Sequence, residues 1–313
     1  MKEAILITGA SGFIGRHLVR RLLKNNYRII CFDLVFENDF VNEFEGKLEM
    51  QTGNLMDVVF IKDLINVCSP NYVFHFAGSK SRTNLLSEFT SSNQINYLGT
   101  LNLFESLIAC VDLKLVTILG TIEEYGHTRS PFKEDSNELP NSAYGLSKLS
   151  ATKLAMIFYQ QFNLPVVVMR PSIAYGPSQG EEMFIPALIK SLIRQQPFKM
   201  TEGNQLRDFL YIDDLTDALI QGISCTGLEG QIVNIASGTS YTIRDVAMQI
   251  AEITKSKEYL KLGELPYRKF EIMDYTVDVS KASTLLQWQA KTKLSYGLKK
   301  TILFYQKMLS DEA

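Results

Sequence analysis

Five short apolar runs mark the first half of the chain: Ile5–Ile7, Ile29–Phe32, Tyr72–Phe76, Leu115–Leu119 and Val166–Met169. Between them lie helical segments with polar and apolar faces, such as Arg16, His17, Leu18, Val19, Leu22 and Leu23. Apolar strands alternating with helices predict a parallel sheet covered on both faces. The expected fold class is therefore α/β, a doubly wound parallel sheet. No internal repeat or low-complexity linker divides the chain.

Two predicted helices are apolar beyond a single stripe. Over 96–110, Tyr97, Leu101, Phe104 and Ile108 form one stripe while Leu98, Leu103 and Leu107 lie off it. Over 144–162, Ala151, Ala155, Tyr159 and Phe162 align while Leu154, Ile157 and Phe158 do not. Helices of this kind normally have a second packing partner.

The first apolar run leads directly into Thr8-Gly-Ala-Ser-Gly-Phe-Ile-Gly15 and then into a helix. This is the order of a βα phosphate-binding unit. Gly9 permits the turn, Gly12 lets backbone approach a pyrophosphate, and Gly15 lets the helix pack closely while its N-terminal dipole faces the anion. The second run ends at Asp33, where a carboxylate accepts hydrogen bonds from the 2′- and 3′-hydroxyls of an adenosine ribose and repels a 2′-phosphate. NAD is thus expected ahead of NADP.

Tyr144-Gly-Leu-Ser-Lys148 carries the reactive chemistry. Residues four apart share a helix face, so phenol and ammonium converge. A free tyrosine titrates near ~10. A cation about 4 Å away at an effective dielectric of ~20 is worth roughly 4 kcal/mol, enough to bring that value down by about three units. Tyr144 then exchanges a proton at working pH.

Composition adds bounds. With 32 basic and 34 acidic residues in 313, the net charge of −2 gives no electrostatic reason to expect nucleic acid or an acidic membrane. No apolar run approaches the ~20 residues of a membrane span, and the first strand begins too early to leave room for a signal peptide. Cys31, Cys68, Cys110 and Cys225 lack C-x-x-C spacing and read as reduced core thiols, which favours the cytoplasm. His17, His75 and His127 share no metal-ligand spacing, so no metal site is expected. Tyr125, Tyr175 and Tyr211 read equally as pocket lining or as packing.

Further motifs follow in order: Gly53-Asn-Leu-Met-Asp57, Val73-Phe-His-Phe-Ala-Gly78, Asn96-Tyr-Leu-Gly-Thr-Leu-Asn102, Leu119-Gly-Thr-Ile-Glu-Glu-Tyr-Gly126, Met169-Arg-Pro-Ser-Ile-Ala-Tyr-Gly-Pro177 and Gly203-Asn-Gln-Leu-Arg-Asp-Phe-Leu-Tyr-Ile-Asp213. With the glycine turn and the Tyr144–Lys148 pair, they resemble the extended short-chain dehydrogenase/reductase family, in its nucleotide-sugar epimerase, dehydratase and reductase branch. The resemblance spans nearly the whole chain.

It implies a Rossmann-type domain over 1–170 with a return segment near 213–236, a smaller C-terminal α/β substrate-binding domain mainly over 171–313, and NAD held by Gly9, Ser11, Gly12, Phe13, Ile14, Gly15, Asp33, Asn54, Leu55, Ala77 and Gly78 together with Tyr144 and Lys148. Asn54 stands where the family usually has an acid. Thr121 is implied as the hydroxyl that meets the reacting sugar oxygen, Tyr144 as the acid/base and Lys148 as the ribose ligand. Arg207 is implied at the diphosphate of a nucleotide-diphosphate sugar, a task suited to a planar guanidinium. Arg268 joins it or makes a surface salt bridge. The family's usual asparagine is Ile173 here. A homodimer through a four-helix bundle of the segments near 96–110 and 144–162 is implied as well.

Within the branch, 4,6-dehydratases carry Thr-Asp-Glu where this chain has Thr121-Ile122-Glu123, and Ile122 can neither donate nor accept a proton. The Glu-Glu-Tyr-Gly form looks most like the 4-keto-6-deoxy-sugar reductases, with Glu123 as a catalytic carboxylate and Glu124 as either a site group or a solvated loop residue. A 4-epimerase with tightly held NAD is the alternative. A non-catalytic nucleotide sensor on the same fold has no need of Thr121, Tyr144 and Lys148 together.

Overall fold

The computed structural model describes residues 2–79 and 85–311. Its strands are β1 Ala4–Thr8, β2 Arg28–Asp33, β3 Glu49–Thr52, β4 Tyr72–His75, β5 Leu115–Leu119, β6 Val166–Pro171, β7 Ile173–Tyr175, β8 Phe198–Lys199, β9 Leu206–Tyr211, β10 Ile232–Ile235, β11 Ser240–Thr242, β12 Leu260–Lys261 and β13 Asp274–Tyr275. Its helices are α1 Phe13–Leu22, α2 Asn38–Phe44, α3 Val58–Cys68, α4 Leu86–Asn93, α5 Gly99–Leu107, α6 Ala143–Phe162, α7 Phe184–Ile193, α8 Ile212–Ser224, α9 Ile243–Thr254, α10 Ser280–Leu285 and α11 Leu294–Asp311. All five apolar runs form strands.

Seven strands make one sheet in the order β10-β6-β5-β4-β1-β2-β3, with every neighbouring pair parallel. The winding reverses between β1 and β4, and in sheets of this kind ligands bind outside the carboxyl ends of the strands at that reversal. Period-two alternation explains why the strands are apolar throughout. Ile5 and Ile7 face α1 and α8 through Leu18, Val19, Leu215 and Leu219, whereas Ala4 and Leu6 share the opposite core with Ile61 of α3, Phe104 of α5 and Phe158 of α6. Beyond β6 the chain builds a smaller sheet centred on β9, which pairs with β7 and β13 in parallel and with β11 antiparallel. Strands β8 and β12 form a separate two-stranded ribbon.

The buried stripes of the two helices differ in detail from the expected ones. Phe104, Leu103 and Leu107 are buried together, while Leu98 and Ile108 are exposed. Packing selects the face: Leu103, Phe104 and Leu107 share one core with Ile61 and Leu64 of α3 and Phe158 of α6, and a π-helical turn at Gln94–Leu98 precedes α5. On α6 the buried stripe is Ala151, Leu154, Ala155 and Phe158, so Tyr159 and Phe162, expected with Ala151 and Ala155, lie exposed beside Ile157. Cys31 and Cys68 are buried, but Cys110 and Cys225 are only half-buried, so the core reading covers two of the four thiols.

Candidate active site

The glycine turn is shaped by its neighbours. Gly9 has φ +69°, and a Cβ there would lie 2.5 Å from Ala77 N, where β1 meets the end of β4. A Cβ at Gly15 would lie 2.4 Å from the Gly9 carbonyl oxygen, so only glycine lets α1 start this close to the strand. Gly12 is the N-cap of α1, which has no side-chain cap and no acidic residue in its first turn. Free backbone donors with the helix dipole behind them suit an anion.

Asp33 closes the same rim. One carboxylate oxygen accepts from Ser11 N at 2.9 Å and Ser11 Oγ at 2.7 Å, and the other from Leu34 N at 2.8 Å. Asn54 uses its side-chain oxygen locally, accepting from Met56 N at 2.9 Å. The adjoining Leu55 carbonyl accepts from Asn102 at 2.9 Å.

Tyr144 and Lys148 lie on the first turns of α6. Ser142 caps that helix by accepting from Gly145 N at 2.9 Å, and its hydroxyl also donates to Glu123 Oε2 at 3.3 Å. Lys148 Nζ donates to the Leu119 carbonyl at 2.8 Å, which ties α6 to the end of β5. Burial pulls the Lys148 ammonium down to about 8, and the charge of Glu124 opposes that shift. Thr121 follows β5 and caps a 3₁₀ turn at Ile122–Glu124, its Oγ1 accepting from Glu123 N at 3.2 Å.

Arg207, on β9, is buried. It donates to Glu271 at 2.6 Å and lies 4.5 Å from the centre of the Tyr275 ring. Burial holds its pKa below the usual arginine value, and the Glu271 charge offsets part of that effect.

A cavity of about 1460 Å³ opens between the carboxyl ends of the large sheet and the C-terminal elements. Gly9, Ser11, Gly12, Phe13, Ile14, Gly15, Asp33, Asn54, Leu55, Ala77, Gly78, Thr121, Glu123, Tyr144, Lys148, Arg207 and Arg268 all line it. Of the three tyrosines, Tyr175 reaches the wall. Tyr125 is buried and donates to Asn234 Oδ1 at 2.7 Å, which makes it a packing residue. His75 is enclosed, with Thr8 Oγ1 2.7 Å and Thr100 Oγ1 3.0 Å from its two nitrogens, and burial drives its pKa down to about 3.

Glu124 is neither solvated nor in the cavity. It is fully buried, accepts from Thr121 N at 2.8 Å, and pairs with Arg170 at 2.6 Å. Sequence reasoning also passed over Ser142, although a serine two residues before Tyr144 is an ordinary helix N-cap signal. The pairing of Arg207 with Glu271 spans 64 residues and left no local pattern to read.

Among the described residues, no cluster of metal-ligating side chains occurs and no helix is long and apolar enough to cross a membrane. The glycine cradle, the bare N-terminus of α1 and the Asp33 carboxylate together fit the pyrophosphate and adenosine ribose of NAD.

Comparison with known proteins agrees with the geometry. Across 98% of this chain and 99% of its own length, the uncharacterized UDP-glucose epimerase YtcB of Bacillus subtilis is 29% identical. The UDP-N-acetyl-alpha-D-glucosaminuronate decarboxylase of Bacillus cytotoxicus is 27% identical over 99% of this chain and all of its own. The UDP-glucose 4-epimerase of Thermotoga maritima, solved with UDP-glucose, superimposes with a TM-score of 0.90 at 27% identity, covering 98% of this chain and 99% of that one. The UDP-glucuronic acid 4-epimerase of Bacillus cereus, solved with UDP-glucuronic acid and NAD, gives 0.89 at 27% identity over 97% and 99%. The model of the NAD dependent epimerase/dehydratase family matches residues 5–236, the stretch holding the glycine cradle, Thr121, Tyr144, Lys148 and Arg207. The chain is thus an NAD-dependent enzyme that belongs to the NAD dependent epimerase/dehydratase family.

Proposed function

We propose that this enzyme carries out oxidation and reduction at C4 of the sugar in a nucleotide-diphosphate sugar. The observation that carries the reading is that Thr121, Tyr144 and Lys148 line the same cavity as the glycine cradle and Arg207. NAD, when bound, supplies the hydride acceptor or donor. Tyr144 takes or gives the proton at its phenolic oxygen, Lys148 favours the phenolate, and Thr121 donates to the sugar oxygen. Arg207, joined by Arg268, holds the diphosphate.

Net reduction of a 4-keto-6-deoxy sugar is the first reading. Each reduction consumes a proton, and Glu123, linked to Ser142 at the cavity wall, offers a carboxylate through which Tyr144 is recharged. Burial of Glu124 leaves the Glu-Glu motif with a single carboxylate facing the cavity, which weakens its specific link to reductases. A 4-epimerase is the second reading, favoured by the two 4-epimerases with TM-scores of 0.90 and 0.89. Exposed Leu98, Ile108, Ile157 and Phe162 support a homodimer through the segments near 96–110 and 144–162. We further assign 1–170 with the return near 213–236 to cofactor binding, 171–313 mainly to the nucleotide sugar, and the enzyme to the cytoplasm.

The test begins with mass spectrometry of small molecules released from purified protein. Incubation with a panel of 4-keto and 4-hydroxy nucleotide sugars follows. Stoichiometric loss of NADH with a 4-keto sugar supports the reductase. Formation of the 4-epimer without net cofactor turnover supports the epimerase. Failure of every nucleotide sugar to react or bind would overturn both.

A further inference from the structure

The Glu124–Arg170 pair adjoins the turn that carries Thr121. Both side chains are 0% exposed. Arg170 Nε and Nη2 donate to Glu124 Oε2 at 2.9 and 2.6 Å, and Nη2 also reaches Glu138 Oε1 at 3.0 Å. Glu138, 16% exposed, is bound in turn by Lys153 of α6 at 2.8 and 2.9 Å. The four formal charges sum to zero. The Arg170 guanidinium stacks 4.6 Å from the centre of the Tyr125 ring. Gly120 leaves room for the chain, since a Cβ there would lie 2.4 Å from Glu124 Oε1.

The two ends of this chain meet the site from different elements. At one end Glu124 Oε1 accepts from the backbone N–H of Thr121, and Thr121 Oγ1 accepts from Glu123 N. A hydroxyl that accepts on one lone pair keeps its O–H for a donor role. The same 3₁₀ turn carries the Glu123 carboxylate to the cavity wall. At the other end Lys153 belongs to the helix that carries Tyr144 and Lys148. A buried ion pair is a weak source of stability, because well-packed apolar residues of similar volume often match or exceed it. Its value here is geometric.

We propose that the alternating chain Glu124–Arg170–Glu138–Lys153 is a positioning device, which holds the Thr121 hydroxyl and the Glu123 carboxylate in fixed register with Tyr144 on α6. Glu124 and Arg170 are positioning residues and touch neither substrate nor cofactor. The inference rests on the roles given above to Thr121 and Tyr144. Because misplacement of a reacting group by about 1 Å costs on the order of a hundredfold in rate, loss of the register acts on turnover more than on binding.

The test uses the full-length enzyme with two variants, the double Glu124→Met/Arg170→Met and the single Glu124→Gln. The double variant removes the charges together, so no buried charge is left unpaired beside the site. The expected result is a melting temperature and NAD affinity close to those of the parent, KM within about threefold, and kcat lowered about ten- to a hundredfold. Hydrogen exchange at the amides of residues 121–125 should speed up at least tenfold while β5 stays protected. Either readout unmoved in a folded variant would overturn the proposal, as would failure of both variants to fold, which would make the pair a stability element. Should the parent turn over no nucleotide sugar, the functional reading fails, and the exchange measurement alone decides for or against the positioning chain.

Discussion

Lys148 Nζ donates to the main-chain carbonyl of Leu119, so the ammonium is anchored to the strand that leads into Thr121. Its buried position lowers its pKa from 10.5 to about 8. In the NAD-free protein, the rate of amine acylation at Lys148, read by peptide mass spectrometry, should be half-maximal near pH 8. Between about 8 and 10.5 the unfolded chain binds the proton that the folded chain has released. The cost of burying this charge is therefore fully present below pH 8 and is relieved as pH rises through that window. A midpoint near 10.5 would mean that the ammonium is solvated and exerts little pull on Tyr144.

Asp33 shapes cofactor choice. Ser11 and Leu34 fix its carboxylate at the rim, where a 2′-phosphate would meet a negative charge. Binding of NAD(H) should be at least tenfold tighter than NADP(H), about 1.4 kcal/mol. Fluorescence titration with both reduced cofactors checks this, and tighter binding of NADPH would refute it.

Tyr144→Phe keeps the ring and removes the transferable proton. Turnover should fall roughly 10²-fold or more with cofactor affinity nearly unchanged. Single-turnover absorbance at the nicotinamide band measures the first, and calorimetry the second. Near-normal turnover would move the acid/base role elsewhere.

Arg207 should act on binding more than on chemistry, because the diphosphate changes little in charge between ground and transition states. A charge-assisted hydrogen bond is worth roughly 1.5 to 3 kcal/mol, so Arg207→Ala should raise KM about ten- to a hundredfold. Part of that loss comes from the Glu271 carboxylate, left unpaired where the anion must sit. Adding Glu271→Gln should recover some of the affinity. An unchanged inhibition constant for nucleoside diphosphates in Arg207→Ala would leave this arginine a structural residue.

Gly15→Ala forces a methyl group to 2.4 Å from the Gly9 carbonyl oxygen. Overpacking of this kind typically costs about 1–3 kcal/mol, and here it also displaces the N-terminus of α1 from the cavity. Thermal melting should show the loss, and NAD affinity should fall with it. Parental stability together with parental affinity would rule out the close-packing role of this glycine.

Much of the architecture could be read before the fold was seen, because strands buried on both faces leave uninterrupted apolar runs and a glycine turn leaves its spacing. Hydropathy alone misassigned the buried face of α5, since Leu103, Leu107 and Ile108 are equally apolar and only packing against α3 and α6 separates them. Residues of the cavity wall were legible where short motifs carry them, as at Tyr144 and Lys148. Glu124 was not, because its burial depends on Arg170, which lies 46 residues away on β6. A charged residue beside a catalytic turn reads as solvated until its partner is known.

The late return of β10 bears on how the chain can be cut. Ile232–Ile235 pairs with β6 from Val168 to Pro171, so the Rossmann sheet is completed only after the β7–β9 segment has been made. A fragment ending near residue 171 would present the fully apolar Val166–Met169 as a bare edge strand, with its outer row of amides unsatisfied. Such an edge templates intermolecular pairing. Expression of the N-terminal portion alone should therefore yield aggregates, and a soluble minimal unit has to extend past Ile235.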